Sequence, residues 1–76
     1  MDKQNKGDLQ GAVAAYIEAI RLNPNYAEAY NNQGGVRADL GDQKGAIEDY
    51  NQALRINPNL AQAYYNRCIT RAKLGD

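Results

Sequence analysis

The chain repeats itself at an interval of 34 residues, and that interval limits the fold more than any other feature of the sequence. Gly7-Asp8 returns as Gly41-Asp42 and again as Gly75-Asp76, and Asn23-Pro24-Asn25 returns as Asn57-Pro58-Asn59. Between these marks Gly11, Ala12, Tyr16, Ala19 and Arg21 recur as Gly45, Ala46, Tyr50, Ala53 and Arg55. Ala27, Ala29, Tyr30 and Asn32 recur as Ala61, Ala63, Tyr64 and Asn66. A period of this length is what a pair of helices and two turns occupies, so each copy reads as one helix pair whose apolar face is covered by its neighbours.

The periodicity within each copy agrees. Leu9, Ala12, Val13, Tyr16, Ala19 and Ile20 return at three- and four-residue steps and predict an amphipathic helix over 9–22, with Asp8 placed to cap it. Pro24 lacks an amide hydrogen and biases Asn23 away from helical geometry, which stops that helix. Asn25 is positioned to cap the next one, which runs through Ala27, Ala29, Tyr30, Gly34 and Ala38 to Leu40. Gly41-Asp42 then closes one helix and opens another, because glycine accepts a left-handed cap and aspartate accepts from free amides. The third helix, about 43–57, copies the first, and the fourth, about 60–74, copies the second. Gly34, Ala46 and Ala53 are the small residues expected where helix backbones cross closely. No apolar–polar alternation or hairpin signal competes, so the class is all-α.

Composition restricts what such a domain can do. The chain has 76 residues, with nine basic and nine acidic side chains interspersed. A nucleic-acid surface needs a basic patch, and an anionic membrane attracts one; neither partner is expected here. The single cysteine, Cys68, cannot form an internal disulfide and, with no apolar leader, is in keeping with a reducing, cytoplasmic setting. Histidine is absent, which removes the commonest general base and metal ligand. Glu48 and Asp49 are adjacent and point to different helix faces, and Gly34-Gly35 lies within a helix rather than a phosphate loop. No enzyme, metal site or cofactor is expected. Cys68 stands at the repeat site of Gly34 and reads as a small buried residue.

Taken together, residues 7–76 resemble the tetratricopeptide repeat (TPR) family. The stretch 27–60 is similar to one complete unit. Tyr30 stands at its first aromatic site, Gly34 at the small site one turn later, and Leu40-Gly41-Asp42 at the turn. Ala46, Tyr50 and Ala53 match the pattern of its second helix, and Asn57-Pro58-Asn59 its terminal proline signal. The resemblance implies a short right-handed solenoid of antiparallel helix pairs built from four helices. The domain would cover 8–76 as a half-unit (8–26), the complete unit (27–60) and a second half-unit (61–76), behind a frayed tail at 1–7. Where the family carries leucine and tyrosine, this chain has Gln33 and Arg37 in one copy and Arg67 and Arg71 in the next. Either those arginines lie along the surface with wet guanidinium groups, or Arg37 or Arg71 pairs with Asp49.

The resemblance also implies a function in protein binding. In this family the first helices of successive units line a concave groove that accepts a peptide or partner segment. The groove would draw on Glu28, Asn31, Asn32, Gly35 and Asp39, and on Gln62, Tyr65, Asn66, Ile69 and Lys73. Asn32 and Asn66 are the strongest candidates, since an amide carries donors and an acceptor and can hold a peptide backbone whatever its side chains. Tyr65 adds an aromatic anchor. Glu28, Asn31 and Gln62 stand where some relatives place lysines that clamp a carboxylate, so acidic chaperone tails are not expected ligands. The alternative is a structural module, an excerpt of a longer array or a head-to-tail homo-oligomer. It would associate through unfinished ends that expose Val13, Ile17, Tyr64, Cys68 and Leu74.

Overall fold

The computed structural model describes residues 6–75, with side chains from Asp8 onward. Four helices follow one another: α1 (Lys6–Leu22), α2 (Ala27–Asp39), α3 (Gln43–Ile56) and α4 (Ala61–Leu74). No strand occurs among the described residues. Each helix packs on the next, and α2 also touches α4, which gives a slab of 35 × 34 × 18 Å. Its thin dimension is close to two helix diameters. None of the described helices is long and apolar enough to cross a membrane.

The ends of the helices follow from their residues, with two departures from expectation. Gly41 has φ +93°, the left-handed conformation that glycine adopts without a side-chain penalty. Next to it, the Asp42 carboxylate accepts from the Gly45 amide at 3.0 Å and caps α3. Asp8 does not cap α1, because that helix begins at Lys6, and the carboxylate sits instead inside the first turn, where negative charge suits the helix dipole. Of the residues expected to form a frayed tail, 1–5 lie outside the described part and Lys6 and Gly7 belong to α1. Asn25 does not cap α2 either. Its own amide is held by the Asn23 side chain at 3.2 Å, and Tyr26 occupies the N-cap position without a side-chain bond. The second copy repeats this, with Asn57 holding the Asn59 amide at 3.1 Å and Leu60 at the N-cap. In each Asn-Pro-Asn segment the first asparagine, not the second, makes the structural bond, and it stabilises the turn rather than the helix.

The core is built from small residues around one ring. Ala27, Ala29, Ala46, Ala53 and Ala63 are buried together with Leu54 and Tyr50. Gly34 meets the face of Tyr50 so closely that a β-carbon on it would lie 2.6 Å from the ring. Of the three small residues expected at helix crossings, Gly34 makes this close approach, and Ala46 and Ala53 are fully buried. Cys68, the repeat partner of Gly34, is exposed, because none of the described helices packs on it as α3 packs on Gly34.

Candidate functional site

The contact between α2 and α4 leaves a groove of about 380 Å³ along one face of the slab. One wall comes from α2 and carries Asn31, Asn32, Gly35 and Asp39; the other comes from α4 and carries Gln62, Asn66, Ile69 and Lys73. Buried Tyr50 and Thr70 reach it from below, and Tyr16 of α1 closes one edge. Two of the residues expected there, Glu28 and Tyr65, do not line it. Tyr65 occupies the repeat site of Asn31, but α4 covers Asn31 to 4% exposure, whereas none of the described helices covers Tyr65, which remains 67% exposed.

Inside the groove the amides are linked. Asn66 Nδ2 donates to Asn31 Oδ1 at 3.2 Å, and Asn31 Nδ2 donates to Gln62 Oε1 at 3.5 Å. Asn31 is thereby occupied within the protein and sets the orientation of the Asn66 amide, leaving the Asn66 carbonyl oxygen to accept from outside. Asn32 is exposed and keeps its full set of donors and acceptors for a ligand. Below them, Thr70 Oγ1 donates to the main-chain carbonyl of Asn66 at 2.8 Å and hydrogen-bonds with the Tyr50 hydroxyl. Burial holds the Tyr50 phenol above its ordinary pKa, so it stays protonated. Exposed Asp39 and Lys73 put one charge of each sign on the rim.

Sequence reasoning missed Tyr16, Val36, Ala38, Tyr50 and Thr70 as lining residues. Tyr50 reads as core because it is core; its ring packs on Gly34 while its hydroxyl faces the groove. Thr70 has no counterpart signal, since its repeat site in α2 holds Val36.

A partly buried ion pair joins α2 to α3. Arg37 Nη1 contacts both carboxylate oxygens of Asp49, at 3.2 and 3.3 Å, so Arg37 and not Arg71 is the partner. Arg67 turns elsewhere, donating to Asn51 Oδ1 at 2.6 Å and lying 5.3 Å over the Tyr64 ring. Burial pushes the Asp49 carboxyl up to about 6, opposed by the charge of Arg37 and reinforced by Asp42 and Glu48. Since the folded state holds this proton more tightly than the unfolded chain, the contribution to stability is complete below about pH 4 and declines as pH rises through 6. Asp49→Asn keeps an acceptor for Arg37 and removes the buried charge. It is expected to flatten the change in stability between pH 4 and 7, because the group that titrates near 6 is gone. Urea melts at both pH values measure this, and a variant that keeps the parent's pH dependence would contradict it.

Among the described residues no group of three or more histidine, cysteine, aspartate or glutamate side chains converges as a metal site would require. In a comparison with protein families, the family model described as TPR repeat matches residues 5–41 and, a second time, residues 34–75. None of the curated proteins compared with the chain matches it.

Proposed function

Because the chain belongs to the tetratricopeptide repeat family, whose repeats generally mediate contacts between proteins, we propose that it binds an extended peptide or partner segment in the groove between α2 and α4. The observation that carries this reading is the oriented amide row. Asn66 is held by Asn31, and Asn32 stands free on the opposite wall, so the pair presents both an acceptor and donors to a backbone lying between them. The family is generally non-catalytic, and the groove contributes recognition rather than chemistry. With Asp39 and Lys73 both on the rim, selectivity rests on shape and backbone bonding more than on the sign of the ligand's charge.

The test is a pull-down from the source cell with the parent chain and with Asn32→Ala/Asn66→Ala. Losing two ligand bonds, each contributing about 0.5–1.5 kcal/mol, is expected to weaken capture of any groove partner by about tenfold or more. Partners retained equally by both proteins would count against the groove. The other reading, assembly through the ends, draws support from the exposed side chains of Tyr64 and Leu74 on α4 and Ile17 on α1. A Tyr64→Ala/Leu74→Ala variant in the same experiment separates the two, since it leaves the groove intact.

A further inference from the structure

The α4 face opposite the groove has a built-in template for what covers it. In the complete unit, α3 packs on the corresponding face of α2, setting Tyr50 against Gly34 and Asp49 against Arg37. Moving 34 residues along turns that face into Tyr64, Cys68 and Arg71 of α4. There these residues are exposed and border a groove of about 400 Å³. A second copy of the chain would bring α1 to this place, since α1 is the repeat of α3.

Two residues oppose that. Tyr16 of the incoming copy would stand where Tyr50 stands on α2, and a β-carbon at the glycine site already lies 2.6 Å from that ring; Cys68 has both a β-carbon and a sulfur there. Ala15 of the incoming copy would stand where Asp49 stands, leaving Arg71 without a counter-charge. From 61 to 74 the sequence of α4 holds Arg67, Arg71 and Lys73 and no acidic residue.

We infer that this face takes an acidic amphipathic helix that sets a carboxylate against Arg71 and a small side chain against Cys68, and that it refuses a second copy of the chain. Arg71 supplies the charge that selects the acid, just as Arg37 engages Asp49. Cys68 supplies the steric selection against an aromatic at the next position.

Helix-stapled, fluorescently labelled peptides copying residues 43–59 test this by anisotropy against the full chain. The peptide carrying Tyr50→Ala is expected to bind at least tenfold more tightly than the unaltered peptide. Arg71→Glu in the chain is expected to weaken that binding at least tenfold, and Cys68→Gly to restore binding of the unaltered peptide. Equal binding of the two peptides, or binding of neither, overturns the inference. So does sedimentation that shows the parent chain forming concentration-dependent oligomers that Cys68→Gly does not strengthen.

Discussion

Tyr50→Ala is expected to abolish cooperative unfolding of the chain at 25 °C. Tyr50 is 2% exposed, its ring fills the space against Gly34, and its hydroxyl is bonded to Thr70. Truncating a buried aromatic to alanine costs about 3 to 5 kcal/mol, because the lost transfer energy is joined by the cavity left behind. A single core in a chain below about 80 residues supplies about 3 to 5 kcal/mol in all, so the loss matches the reserve. Tyr50→Phe isolates the ring from the hydroxyl. It keeps the packing and gives up one bond, an expected cost of about 0.5–1.5 kcal/mol. Circular dichroism during urea titration follows both. An alanine variant within about 1 kcal/mol of the parent would mean that the ring is not the centre of the core.

The second large effect comes from the other side of the same contact. Gly34→Val places two methyl groups where even a β-carbon lies 2.6, 2.9 and 3.0 Å from ring atoms of Tyr50. Overpacking of this kind costs about 1 to 3 kcal/mol, and the expected value is near the top of that range because the ring is enclosed on its other faces. Gly35 is the control. A β-carbon there meets only the Tyr50 hydroxyl at 3.9 Å, so Gly35→Ala is expected to gain about 0.5–1 kcal/mol from helix propensity. Two adjacent glycines in one helix thus have opposite expected signs. If thermal melts give both variants the same sign, the ring contact does not determine the outcome. A Gly34→Val/Tyr50→Leu double variant should lose less than the sum of its parts, since the smaller side chain makes room.

The helix order, the turn at Gly41-Asp42 and the burial of Ala46 and Ala53 were legible because the repeat states them twice. Period and residue size are local properties that survive translation into structure. What the repeat could not express is the difference between its copies. Asn31 and Tyr65 hold the same place in the pattern, yet one is enclosed and the other open, because burial depends on whether a further helix stands alongside. The same holds for Gly34 and Cys68. Arg37 and Arg71 were equal candidates for Asp49, and the choice fell to the helix that packs against the face carrying Asp49. The capping expectation at Asn25 failed for a different reason. The helix starts at Ala27, so the N-cap position falls on Tyr26 and Asn25 stands one residue too early to cap, in the turn that Asn23 holds.

None of the side chains from Asp8 to Leu22 is buried, although α1 forms one edge of the groove through Tyr16. Few enclosed apolar contacts mean a small free energy for local opening, so α1 is expected to detach more readily than the α2–α3 pair, whose packing is the most extensive. A ligand bound in the proposed groove and touching Tyr16 would therefore do more than fill a site. It would shift a population toward the docked helix and spend part of its binding energy on that ordering. Peptides long enough to reach α1 and peptides confined to α2 and α4 meet, in effect, two proteins of different rigidity.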